Sequence, residues 1–153
     1  MENNNAANRD NIFINVCQMI SDNLHAIHPE AVDCGVFIRI AANPATGSLQ
    51  MDSLNVYRTS SDPRDTITIS WQFTNPDIYR QLGELWTATD RGWFNAMICI
   101  NLATGRITTK FIPKADPNVP WMYKDSEDIG AEPEFDYLTI KRPYLDTARQ
   151  LNR

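Results

Sequence analysis

Three sets of residues in this 153-residue chain have types and spacings that could do chemistry. His25 and His28, the two histidines, stand three apart, close enough to share a metal ion across one helical turn. No Cys-x-x-Cys and no third ligand lies beside them. Two imidazoles near a helix C-terminus, where the dipole favours them, is the plainer reading. Cys17, Cys34 and Cys99 are an odd number, each inside an apolar run. A nucleophilic thiol needs a base and an electropositive setting, which their flanks do not offer. They are expected to be small buried hydrophobes in a reducing compartment. Asp62 and Asp65 form a carboxylate pair in the polar loop "SSDPRD". A general acid and base need environments that separate their pKa values, so these two read as solvated turn residues. Neither Gly35 with Gly47 nor Gly83 with Gly92 makes a phosphate-cradling loop, and no G-x-S-x-G or Ser-His-Asp set is readable. The expectation is a protein without catalysis, cofactor or metal.

The strongest feature is one of charge. In "DSEDIGAEPEFDY", Asp125, Glu127, Asp128, Glu132, Glu134 and Asp136 place six of the 19 acidic residues in twelve positions, without a base. One reading is a solvated acidic loop. The other is a docking surface for a basic protein. Trp121, Met122 and Tyr123 precede the acids, and Phe135 and Tyr137 are interleaved with them. Such residues are enriched as interface anchors, and a rim of one sign steers association. A cluster of this kind could imitate the phosphates that a basic nuclease cleft expects. The net charge of −5 and the isoelectric point near 4.9 disfavour nucleic acid and anionic membrane as direct partners.

The elements that would position these residues follow from periodicity. Residues 1–9 are polar, with no apolar core of a secretion signal, and read as a disordered tail. No apolar run approaches the roughly 18 residues of a membrane span, so the expectation is a cytoplasmic protein. From Asp10, a plausible N-cap, Phe13, Val16, Cys17, Ile20, Leu24 and Ile27 recur at helical spacing, giving a helix over about 10–27 that Pro29 stops. Cys34, Val36, Ile38 and Ile40 alternate as a strand. After the turn "NPATGS" a returning strand carries Leu49 and Met51 in one phase and Leu54 and Val56 in the other, which suggests a β-bulge at Asp52-Ser53. "TITISWQF" alternates most regularly and predicts a third strand. Asn75-Pro76 starts a second helix with Ile78, Leu82, Leu85 and Trp86 on its stripe, ending near Asp90-Arg91-Gly92.

"RGWFNAMICINLATGRITTKFIP" predicts a hairpin. Phe94, Ala96, Ile98, Ile100 and Leu102 share one face. Trp93, Asn95, Met97, Cys99 and Asn101 share the other, which the polar residues leave half covered. Ile107, Thr109 and Phe111 alternate on the return, and Gly105 takes a left-handed turn conformation. A Pro-rich, acidic arm over 113–143 follows, and Pro143 permits a last helix, "YLDTARQL". The predicted fold is a single α+β domain over 10–153: an antiparallel five-stranded sheet with helices packed mainly on one face, in the order α-β-β-β-α-β-β-arm-α.

From the second helix into "LWTATDRGWFNAMICINLATGRITTKF", and on to "PWMYK" at 120–124, the chain resembles the YezG-like immunity family of bacterial toxin–antitoxin pairs. A Trp opens a strand, a Gly-containing turn follows, and the returning strand carries a late Phe. Residue-level likeness lies within 91–124, and Phe111 is followed by Ile112-Pro113-Lys114 instead of an acidic-aromatic string. The resemblance implies a small cytoplasmic protein that binds and neutralises one cognate toxin, often a nuclease, by occluding its active site. Trp121 and Tyr123 would be the anchors and the six acids the steering rim. The element order and acidity are also similar to type III secretion chaperones, which implies the alternative of a homodimer wrapping an effector segment.

Overall fold

The computed structural model describes residues 2–42, 49–112 and 137–151. Its elements are α1 (Glu2–Ile27), β1 (Asp33–Ala42), β2 (Leu49–Arg58), β3 (Ile69–Trp71), α2 (Asp77–Ala88), β4 (Asn95–Asn101), β5 (Ile107–Ile112) and α3 (Tyr137–Leu151). The five strands form one antiparallel sheet in the order β3-β2-β1-β4-β5. This is the α+β architecture that the strand and helix periodicities predict.

β1 lies at the centre of the sheet, and its alternation builds two cores. Cys34, Val36, Ile38 and Ile40 point to one face, where Val16, Cys17, Ile20 and Leu24 of α1 and Ile78, Leu82, Leu85 and Trp86 of α2 bury them. Phe37 points to the other face with Val56, Met97 and Cys99, under Ile140, Tyr144, Ala148 and Leu151 of α3. Each large apolar side chain so buried is worth about 1.5–3 kcal/mol. Two of the three helices thus share a face and α3 takes the opposite one. Asn23 ties α1 to the entry of α2: its Oδ1 accepts the Thr74 N–H at 3.0 Å and its Nδ2 donates to Thr74 Oγ1 at 2.6 Å.

Several expectations need correcting. α1 begins at Glu2, two turns before Asp10, so residues 2–9 are helix and not a tail. No Pro or Gly interrupts that stretch. The phase slip in β2 is not a bulge, because ten consecutive pairs run unbroken from Asp33↔Arg58 to Ala42↔Leu49. Met51 and Leu54 differ in phase because each packs into a different core. "TITISWQF" shrinks to the three residues of β3. Ile67 is 66% exposed, and its N–H is taken by Asp65 Oδ1 at 2.8 Å in a turn. As an edge strand among the described residues, β3 pairs with β2 alone. α3 starts at Tyr137, so residues 137–143 are helix and not arm, and Pro143 sits inside it. That proline gives the helix no amide donor, but the apolar stripe on both sides holds the turn against the sheet. Arg106 Nη1 donates to the Leu151 carbonyl at 2.9 Å, a cation at the helix C-terminus.

The β4–β5 hairpin follows its sequence closely. Gly105 has φ +74°, and Asn101 Oδ1 accepts the N–H groups of Ala103 and Thr104 at 3.0 and 3.1 Å. Asn75 Oδ1 caps α2 by accepting the Asp77 N–H at 3.0 Å. At the other end of α2, Asp90 and Arg91 both adopt positive φ, 59° and 54°. Trp86 Nε1 donates to the Trp93 carbonyl and Trp93 Nε1 to Thr89 Oγ1, each at 2.7 Å, which locks the entry to β4 against α2. Trp93 therefore joins the α1/α2 core and does not share a face with Met97 and Cys99.

Candidate functional site

Trp121, Tyr123, Asp125, Glu127, Asp128, Glu132, Glu134 and Asp136 all fall within 113–136 and lie outside the described residues. The remaining sequence candidates have definite places. His25 is exposed on α1. His28 stacks on Tyr57 at 4.7 Å and faces Glu30 at 3.6 Å. Among the described residues no group of three His, Cys, Asp or Glu side chains converges as metal ligands would. Asp62 accepts both the backbone N–H and the guanidinium of Arg64, which hold its carboxyl below the usual carboxylate range. Asp65 accepts from Ile67. Both aspartates are turn-formers. The three cysteines are unpaired and buried. Burial pushes the Cys17 thiol up to about 12 and also raises Cys34 and Cys99. The face of β4 expected to be half covered is closed: Asn95 and Asn101 are 1% and 4% exposed, while Lys110 of β5 reaches solvent.

The opening surface is at β5. Among the described residues the sheet ends there, with β4 as the strand's neighbour. Ile107, Thr109 and Phe111 line an open groove of about 310 Å³ with Phe13 of α1 and Leu85 of α2. Phe111 meets Phe13 edge-on at 6.3 Å and Trp93 at a tilt at 5.0 Å. Ile107 and Phe111 remain 38% and 36% exposed. Thr109 Oγ1 is buried without a hydrogen-bond partner among the described residues. At the rim Arg9 and Asp10 approach to 4.0 Å, an exposed pair of little energetic weight. These walls offer mainly apolar contact, a chemistry suited to binding. A second groove of about 610 Å³ between α1 and α2 is shallow and rimmed by Arg80 and Glu84, which pair with each other at 3.4 Å.

A scan against protein-family models and searches of curated proteins and solved structures find no match to this chain.

Sequence reasoning missed one buried polar cluster. Arg58 donates from Nε to both Asp33 oxygens at 3.1 Å and from Nη2 to Oδ2 at 2.6 Å, and Tyr144 of α3 donates its hydroxyl to Asp33 Oδ1. All three are at most 1% exposed. Burial pulls the Arg58 pKa down, but the hydrogen bonds and charge of Asp33 outweigh it, and the guanidinium ends above its usual value. Burial, then the charge of Asp33, push the Tyr144 hydroxyl well above the usual phenol range. The signal available in sequence was the hairpin itself, since the β1–β2 register sets Asp33 opposite Arg58. The cluster docks α3. With Asp33 taken up by two donors, it has the character of a tether.

Proposed function

We propose that the protein is an immunity protein, which binds a cognate bacterial toxin with a basic surface and neutralises it by occlusion. One observation carries this reading. Residues 113–136 hold seven acids and two lysines, a net of −5, while the remaining 12 acids and 12 bases cancel. The whole net charge of the chain therefore sits in the stretch that joins β5 to α3, together with Trp121 and Tyr123. A charge gathered beside aromatic anchors suits steered docking on a basic cleft, such as that of a nuclease. The buried titratable groups support a binding role too. Asp33 is engaged by Arg58 and Tyr144, and burial keeps the three thiols protonated. No described helix is long and apolar enough to cross a membrane.

The test uses the protein encoded by the adjoining reading frame as the binding probe. Neutralising Asp125→Asn, Glu127→Gln and Asp128→Asn together should slow association about tenfold at low ionic strength and flatten its salt dependence. An unchanged on-rate and salt slope, measured by stopped-flow fluorescence, refutes the docking role of the acids. A stable homodimer in sedimentation, with no protection of cells against that neighbour, assigns the chain to the chaperone alternative.

A further inference from the structure

The geometry points to the outer edge of β5 as a strand-addition site, where an extended Lys/Arg-flanked segment of a protein partner pairs as a sixth strand and sets apolar side chains into the adjoining groove. This rests on the binding role proposed above and names its mode.

The backbone argument comes first. Asn101 N–H bonds to the Arg106 carbonyl at 2.8 Å and Phe94 N–H to the Ile112 carbonyl at 3.1 Å. Both acceptors belong to even-numbered residues of the return arm. The alternation of an antiparallel ladder then turns the backbone of Thr108 and Lys110 towards β4, and that of Ile107, Thr109 and Phe111 towards the outer edge, where no described strand lies. The same three residues carry the side chains that line the groove. Main-chain donors and an apolar trough thus coincide along one strand, which is what pairing by β-augmentation uses: backbone bonds for affinity and pockets for alternate side chains.

Among the described residues the edge also has little of the usual protection. β5 has no proline, its register from Asn95↔Ile112 to Ile100↔Ile107 has no bulge, and Lys110 is its one charge. β3, at the opposite edge, is three residues long. Protective devices normally blunt an exposed strand; β3 is blunted by its shortness, and β5, among the described residues, by Lys110 alone. Charge selects the occupant. β5 runs directly into the residues that hold the chain's entire net charge of −5, so a strand lying along it is favoured by basic flanks. A second copy of this chain would bring another net −5 instead.

The test is a selection on the full chain from phage displaying nine random residues between lysine pairs, with an aspartate-flanked library as control. Enriched peptides should alternate apolar residues and slow amide exchange at Ile107, Thr109 and Phe111. Thr109→Pro removes an outward N–H and leaves the ladder to β4 intact, and Ile107→Lys places a charge on the edge. Each should weaken the peptides about tenfold or more. If the proline variant fails to fold, Ile107→Lys and the exchange map still decide. The inference is overturned if the lysine-flanked library enriches no better than the control. Protection elsewhere than the three amides, or wild-type affinity in both variants, also overturns it. So does a homodimer that Thr109→Pro dissolves, which would give the edge to a second copy. The two readings fail separately. Undiminished peptide binding by the neutralised acid variant removes the acids' role and leaves the edge, whereas weakened binding there with wild-type edge variants does the reverse.

Discussion

Alkaline pH should unfold this protein through its buried thiols. An unfolded thiol ionises around 9.0, whereas burial holds Cys17 up to about 12 and raises Cys34 and Cys99 as well. Above pH 9 the native state therefore keeps protons that the unfolded chain has released. Bound protons are then fewer in the unfolded state, so stability falls as pH rises, by about 1.4 kcal/mol per pH unit for each group. The protection is complete below pH 9, and three thiols together give a slope of about 4 kcal/mol per unit above it. Tyr144, raised from a usual 10.0, joins above pH 10. By pH 10.5 the loss is about 2 kcal/mol per thiol and about 1 for the phenol, roughly 7 in all, against a typical total stability of about 5–15. The assay is urea denaturation under reducing conditions, followed by tryptophan fluorescence, from pH 7.5 to 10.5. Cys99→Ala should lower the slope above pH 9 by about 1.4 kcal/mol per unit whatever its cavity cost, because the slope counts protons and not contacts. Stability that stays flat between pH 8 and 10, or a slope that Cys99→Ala leaves unchanged, refutes the reasoning.

Other substitutions probe the second core. Arg58→Met strands the Asp33 carboxylate in the interior and should cost about 3–5 kcal/mol, while Tyr144→Phe, which leaves the ion pair, should cost about 1.5–3; denaturant midpoints that reverse this order contradict the tether. Gly35→Ala would set a Cβ 3.0 Å from Tyr144 Cδ1 and 3.2 Å from Phe37 Cε2. It should cost about 1–3 kcal/mol and speed amide exchange in α3 ahead of α1. At Gly105 the space is open, so Gly105→Ala meets only the strain of φ +74° and should cost about 1 kcal/mol, read as a thermal shift of a few degrees.

The helical stripes and the hairpin were legible in sequence because each depends on residues close along the chain. Ile78, Leu82, Leu85 and Trp86 face the core as their spacing predicts, and Gly105 turns as its position requires. What failed needed knowledge of distant partners. Met51 and Leu54 looked like a register fault because the α3 core, completed by residues more than 80 positions later, was not in view. "TITISWQF" has the alternation of a strand, but a strand exists only where it has a neighbour, and β2 meets just three of its residues. The Asp33–Arg58–Tyr144 cluster joins residues 25 and 111 apart in sequence, beyond what local spacing reports. The edge of β5 was visible as an alternation of Ile107, Thr109 and Phe111. That no described strand pairs with its outer backbone follows only from the order of strands.

The docking of α3 has a consequence for the order in which the protein acquires its structure. The described strands and the α1/α2 core lie within residues 2–112, whereas the described cover of the face bearing Phe37, Met97 and Cys99 comes from residues 137–151, which are synthesised later. During that interval Asp33 and Arg58 meet in water, where an ion pair is worth little. Tyr144 closes over them last, across a separation of 111 residues. The pair thus forms cheaply while wet and is sealed afterwards, when α3 is synthesised and docks.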